Sequence, residues 1–99
     1  ASYSPSAAIL ESWAGIERAL RTQTKQHGLP TRGPITGVEQ SLEEQGLITP
    51  NIRKLSSELR ALRNSAAQGG ATQPAYLDAL RYYLKASRLE NLIKSQSEP

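Results

Sequence analysis

The sequence predicts an all-α protein, a single domain over residues 1–99 that folds as an up-and-down four-helix bundle of three long helices and one short helix. Three observations support this fold class. Ala, Leu, Glu, Gln, Lys and Arg, which favour helices, are abundant, whereas phenylalanine is absent and Val38 is the only valine. Apolar residues recur at intervals of three and four along several segments, which is the period of an amphipathic helix. Turns rich in glycine and proline separate these segments, and short turns connect antiparallel neighbours in a bundle.

The first predicted helix follows Ser4, whose hydroxyl can cap it, and begins at Pro5. Proline suits this position because it lacks an N–H, and the first N–H groups of a helix have no partner within the helix. One apolar stripe runs along it: Ile9, Trp13, Ile16 and Leu20. The helix is predicted to end at Gly28, with Lys25 and His27 in the last turn, where the helix dipole favours positive charge.

The second predicted helix is short. Thr36 and Glu39 have the spacing of a capping box, and Val38 and Leu42 supply a small apolar stripe. The alternative is a three-helix protein in which Val38–Gln45 forms an extended linker.

The third and fourth predicted helices are long. Thr49–Pro50 opens the third helix as a cap followed by a first-turn proline, and Gly69–Gly70 ends it. Its stripe is the most regular in the chain: Ile52, Leu55, Leu59, Leu62 and Ala66. Thr72 and Pro74 open the fourth helix, which is predicted over Pro74–Ser95. Its predicted apolar stripe is Leu77, Leu80 and Leu84, continued by Leu89, Leu92 and Ile93.

Composition excludes several kinds of site. The chain contains no cysteine, which excludes disulfides, thiolate metal ligands and thiol catalysis, and which fits a cytoplasmic location. A single histidine, His27, excludes a histidine-rich metal site, and we predict no metal and no cofactor. No apolar run approaches the ~20 residues that span a bilayer, and nothing resembles a signal peptide. Because the chain begins at Ala1, one hypothesis is an excised domain or a processed product of a longer, membrane-anchored protein.

Isolated polar and aromatic residues indicate little chemistry. His27 is the only candidate general base, but no Ser, Asp or Glu stands beside it, which favours a role at the helix end. Trp13 is predicted to lie in the core. Tyr82 and Tyr83 point about 100° apart, so one is expected in the core and the other exposed at a dimer seam. Base stacking by these aromatics and Tyr76 is the alternative. Three carboxylates of the short helix lack partners for acid–base work or for metal binding and are expected on the surface: Glu39, Glu43 and Glu44.

The net charge of +3 is mild, but cations recur on helix faces. Intervals of four and three place one group on a single face of the fourth helix: Arg81, Lys85 and Arg88. A second group shares a face of the third helix: Arg53, Arg60 and Arg63. Two such faces can form a phosphate-binding groove, although a solvated surface is the commoner role of such charges.

The segment Leu59–Gly69, LRALRNSAAQG, resembles the signature of the HEPN family (higher eukaryotes and prokaryotes nucleotide-binding domains). The family motif is an arginine, a polar residue, a few further residues and a histidine near the end of a long helix. Arg63 and Asn64 match its first half, and Gln68 stands at the spacing of the histidine. The surrounding order is also similar, with an ESWAGIERALR-type first helix, a GLITP connection and a leucine-rich last helix.

The resemblance implies a bundle of four or five helices that is typically dimeric. Many family members are metal-independent ribonucleases, and others are inactive partners of nucleotidyltransferases or domains of defence and membrane-associated proteins. It also implies that Arg63, Asn64 and Gln68 are candidates to bind a ligand or phosphate, since a guanidinium forks onto phosphate oxygens. In active members the histidine is thought to handle protons while the RNA 2′-hydroxyl attacks phosphorus. A glutamine amide does not titrate usefully, so a factor of ~10²–10⁴ from acid–base catalysis is lost.

We therefore expect a non-catalytic module that forms a homodimer and binds a protein, nucleotide or RNA partner. One alternative is a weak ribonuclease or RNA binder that uses basic side chains on the last two long helices: Arg60, Arg81, Lys85 and Arg88. Another is a cytoplasmic domain of a larger membrane-anchored protein. A purely structural role for the motif is also open, with Arg63 paired to Glu17 or Glu58.

Overall fold

The computed structural model describes residues 4–68 and 75–96, and these ranges contain four α-helices and no strand. The helices are α1 (Pro5–Gln26), α2 (Ile35–Glu44), α3 (Pro50–Gln68) and α4 (Tyr76–Ser95). The predicted four-helix bundle is thus confirmed. The three-helix alternative is wrong, because most of its proposed linker is helical.

Helix starts follow the local sequence at two of the predicted caps. The Ser4 hydroxyl accepts from the Ala7 N–H at 3.2 Å, and the Thr49 hydroxyl accepts from the Ile52 N–H at 3.1 Å. The predicted capping box of α2 is wrong, since this helix begins at Ile35 with no side-chain cap. Thr72 and Pro74, proposed as the start of the last helix, lie outside the described residues.

Glycines end α1 and α2 in the same way. Gly28 and Gly46 have φ of 69° and 72°, a left-handed backbone that side chains with a Cβ disfavour. The leucine after each glycine donates its N–H to a carbonyl five residues earlier at 2.8 Å, and its side chain packs against the core. These leucines, Leu29 and Leu47, therefore fix where the chain leaves each helix.

The core lies between α1 and the other three helices, with α4 packed mainly on α1. The apolar stripe predicted for α1 is buried over its whole length, Trp13 included. Gln23 joins the two helices, because its amide donates to the Ile93 carbonyl at 2.6 Å. The Glu90 side chain of α4 lies over Gly15 of α1, since a Cβ built on Gly15 would lie 2.9 Å from a Glu90 carboxylate oxygen.

The apolar stripe predicted for the first half of α4 is wrong. Leu77, Leu80 and Leu84 are exposed, with 41–59% of each residue accessible. The helix instead turns another set of residues to the core: Ala79, Tyr82, Ala86, Leu89 and Ile93. This second set also alternates by three and four, so periodicity alone does not choose between the two faces. Because the observed face carries alanines, α4 can lie close to α1.

Candidate functional site

Glu39 of α2 forms a buried polar cluster with α3. It is only 1% exposed, and its carboxylate accepts hydrogen bonds from the Ser56 hydroxyl and the Arg60 guanidinium. Glu43, four residues on, pairs with Arg53 at 2.7 Å. The predicted surface position is therefore wrong for Glu39, because α2 packs on the side of α3 that carries these arginines, whereas Glu43 is partly exposed. Glu44 is exposed and accepts from a neighbouring glutamine side chain.

The two predicted basic faces differ in how their charge is balanced. On α3, the Arg53 and Arg60 guanidinium groups each pair with a glutamate of α2. On α4, three cations are exposed and form no ion pair with any described residue: Arg81, Lys85 and Arg88. The predicted face on α4 thus keeps all three of its cations without an ion pair among the described residues, whereas the face on α3 keeps only Arg63, and Arg60 differs from the other basic-face candidates.

Arg63 lies near the C-terminal end of α3, beside Tyr82 of α4. Tyr82 is buried, and its hydroxyl donates to the Leu59 carbonyl at 2.9 Å. Burial raises the pKa of the Tyr82 phenol well above its ordinary value, and the nearby Arg63 guanidinium lowers it in part. Arg63 donates from Nη1 to the Asn64 side-chain oxygen at 3.2 Å, while its Nε is buried without a hydrogen-bond partner among the described residues. Part of its donor capacity is therefore unused.

The other two motif residues are exposed on the same helix end. Asn64 follows Arg63 directly, and Gln68 is the last residue of α3. Residues 64 and 68 lie one above the other on a helix, whereas residue 63 is offset by about 100°. The structure thus brings Arg63 and Asn64 into contact and leaves Gln68 on the solvent side of the final turn.

The outward side of α4 carries a group of large apolar residues, which we call the apolar face. Its members are 41–60% exposed. They are Tyr76, Leu77, Leu80, Tyr83 and Leu84. The pattern of three- and four-residue intervals pointed to the three leucines but assigned them to the core. The only sequence signal for their exposure was the second stripe of α4, whose two alanines, Ala79 and Ala86, allow closer packing on a neighbouring helix.

A groove borders this face on each side. Between α1 and α4 lies a groove of about 460 Å³ whose small residues include Ala8, Ser12 and Gly15, with Tyr83 at its edge. Between α3 and α4 lies a groove of about 290 Å³, which we call the leucine groove. Five leucines line it: Leu55, Leu59, Leu62, Leu89 and Leu92. Its charged lining residues are Lys85 and Arg88 on α4 and Glu58 on α3.

The remaining aromatic and imidazole groups have structural positions. His27 contacts the Gln23 carbonyl through Nδ1 at 2.9 Å, as predicted for a residue at a helix end. Tyr82 is buried and Tyr83 is 54% exposed, which confirms that the two point different ways. Within residues 4–68 and 75–96, no three His, Cys, Asp or Glu side chains are grouped so that they could hold a metal ion. None of the helices in this part of the chain is both long enough and apolar enough to traverse a bilayer.

Comparison with known proteins adds no relative to this picture. No family model matches the chain, and neither a curated protein nor a solved structure is significantly similar to it.

Proposed function

We propose that this protein is a catalytically silent HEPN-like helical bundle that acts as a homodimeric binding module. The observation that carries the proposal is the apolar face of α4. Helix geometry adds Ser87 and Asn91 to the same side of α4 and places Lys94 there only in the last turn, so no charged residue lies among the five apolar ones. A solvent-exposed helix side of this kind is typical of an interaction surface.

The size of the apolar face suits a protein interface. A fully exposed side chain of this size presents roughly 150–250 Å² of surface. Because the five side chains are 41–60% exposed, they present on the order of 500 Å² together. This is near the upper end of the largest apolar patch on a typical monomer. A standard interface buries about 800 Å² on each partner. The face would thus supply the apolar centre of such an interface, and the adjoining rim would supply the remainder.

A second copy of this chain is the partner that fits the face best. The chain carries a net charge of +3, which opposes self-association through its charged surfaces. The five side chains of the apolar face carry no charge, so two copies can meet there while the flanking cations stay at the solvated rim of the interface. The groove between α1 and α4 lies directly beside the face, and its small residues leave room for a side chain that projects from the partner. A two-fold interface requires a surface that is complementary to itself, and a projecting side chain beside a groove meets that requirement.

The motif in α3 supports binding rather than catalysis. Arg63 remains charged at any physiological pH and its guanidinium is only partly buried, which suits an anionic group such as a phosphate. Gln68 cannot exchange a proton as an imidazole does. We therefore expect retained affinity for an anion and no efficient cleavage of RNA.

The dimer is tested by light scattering coupled to size-exclusion chromatography over a concentration series. Leu84→Glu is expected to weaken self-association by a factor of about 100 or more, because the change occurs twice in a symmetric dimer and each buried leucine contributes about 1.5–3 kcal/mol. Leu62→Glu is the matched control, since Leu62 is a similarly exposed leucine on α3 outside the apolar face. Circular dichroism checks that both variants keep their helix content. A wild-type protein that is monomeric throughout, or equal effects of the two variants, would refute the proposal.

Catalysis is tested separately with single-stranded RNA and no added metal. The wild-type protein is expected to leave the RNA intact, and Gln68→His is expected to gain cleavage. Arg63→Ala in the Gln68→His background is the control, and it should abolish the gained activity. Vigorous turnover by the purified wild-type protein would contradict the silent assignment.

A second function, RNA binding, is favoured by the uncompensated cations of α4. Such binding would depend on phosphate contacts and would weaken steeply with salt. Arg81→Gln is expected to weaken it without altering the oligomeric state, as measured by gel shift at low salt. The absence of any shift at low salt would end this alternative.

A further inference from the structure

We propose that the leucine groove between α3 and α4 is a docking site for an acidic amphipathic helix of a partner protein. This surface is separate from the apolar face, so the inference does not depend on the homodimer. The features that carry it are the apolar lining, the shape between two helices and the unequal charges on the two rims.

The lining combines a buried floor with raised walls. Leu59 and Leu89 are buried at the base, whereas Leu62 and Leu92 are 53% and 37% exposed at the sides. The volume of about 290 Å³ is close to the lower limit of ligand pockets. Since an apolar cavity of about 150 Å³ holds one benzene-sized group, this groove accommodates about two bulky apolar side chains. That capacity fits the anchors of a peptide better than a large cofactor.

The shape favours a helical peptide over an extended one. Two neighbouring helices form the walls, and a third helix can lie between them with its apolar side chains at intervals of three and four. An extended peptide binds mainly by adding a strand to a sheet edge, and residues 4–68 and 75–96 form no sheet.

The charges at the rims define the chemistry of the partner. Lys85 and Arg88 stand on the α4 rim, and neither forms an ion pair with a described residue. Arg81, one turn earlier on α4, is likewise unpaired within the described part of the chain. The α3 rim carries Glu58. A bound helix should therefore place Asp or Glu on its flank beside α4, which would both attract it and fix its orientation.

Other occupants match these features less well. RNA uses cations but gains little from exposed leucines such as Leu62. A lipid surface would reach only the rim, because the leucines at the base lie between two helices. A second copy would present its own apolar face flanked by Arg81, Lys85 and Arg88, so cations would oppose cations.

The test uses two fluorescein-labelled model peptides of about 16 residues that share leucine anchors at helical spacing. One carries glutamates along one flank, and the other carries lysines at the same positions. Fluorescence anisotropy against the full chain is expected to show saturable binding of the glutamate peptide, at least about tenfold tighter than that of the lysine peptide. The double variant Lys85→Glu/Arg88→Glu should reverse this preference. Arg18→Glu, at an exposed cation beside the groove between α1 and α4, is the matched control and should change neither affinity.

Several outcomes would overturn the inference. Equal affinity for the two peptides would remove the charge argument, and no saturable binding of either would remove the site. Loss of peptide binding in Leu84→Glu together with unchanged binding in Leu62→Glu would assign the peptide to the apolar face instead. Binding of anionic vesicles or RNA that Lys85→Glu/Arg88→Glu abolishes, with no peptide binding, would assign the cations to that other partner. Because peptide binding by monomeric Leu84→Glu is expected to persist, failure of the dimer and failure of the groove are distinguishable.

Discussion

Replacing Arg60 with leucine removes the cation that faces a carboxylate with only 1% exposure. Breaking a buried pair in this way typically costs about 3–5 kcal/mol, because the remaining charge has neither water nor partner. The Arg60 side chain is itself 24% exposed, so part of the attraction is already screened, and Ser56 still donates to Glu39. We therefore expect a loss of about 3 kcal/mol in the free energy of unfolding, at the lower end of that range.

The reverse substitution should be milder. In Glu39→Leu the Arg60 guanidinium is left without its partner but can turn to water, and Ser56 loses its acceptor, which costs about 1–2 kcal/mol. The double variant Glu39→Leu/Arg60→Leu contains no isolated charge and should also lie about 1–2 kcal/mol below the wild type. The two single losses then exceed the double loss by about 3 kcal/mol, which is the coupling between the residues.

The assay is urea unfolding followed by far-UV circular dichroism and by the fluorescence of Trp13, the only tryptophan. Arg53→Leu is the matched control, because the Arg53–Glu43 pair is about one-third exposed and should contribute only about 0.2–1 kcal/mol. Equal losses for Arg60→Leu and Glu39→Leu, with strict additivity in the double variant, would refute the reasoning that the carboxylate is the group that cannot be left alone.

Two further substitutions test local features. Tyr82→Phe removes the hydrogen bond to the Leu59 carbonyl and should cost about 0.5–1.5 kcal/mol in urea unfolding. Because burial raises the pKa of the Tyr82 phenol, the folded state holds this proton more tightly; wild-type stability should be full below the ordinary phenol pKa of about 10 and fall as the pH rises above it, with a smaller fall in the variant. Gly15→Ala gains about 1 kcal/mol of helix propensity but must move the flexible end of Glu90 away from Lys94, an exposed pair that contributes about 0.3–0.5 kcal/mol. A net gain of about 0.5 kcal/mol is expected on the same urea curves, and a net loss would mean that Glu90 is held in place.

Local sequence determined the starts of two helices and the ends of two. Ser4 and Thr49 act as caps, and Gly28 and Gly46 end α1 and α2, because these effects depend on backbone groups within a few residues of each other. The core stripe of α1 was equally clear, since only one of its faces is apolar.

The position of Arg63 beside Asn64 near the end of α3 also follows from sequence, because residues adjacent on a helix stay adjacent in any packing. The unpartnered Arg63 Nε and the neighbouring Tyr82 could not be foreseen, since they belong to the contact between α3 and α4.

Tertiary packing alone decided the surface chemistry. α4 offers two stripes of equal periodicity, and the one with Ala79 and Ala86 faces inward because it allows close packing on α1, which exposes the leucines of the other stripe. Likewise Arg60 and Arg81 have the same charge and the same helical setting, but only Arg60 meets a glutamate of another helix. Burial and ion pairing join residues far apart in the chain, so they follow from how the helices are arranged in space and not from the pattern within any one of them.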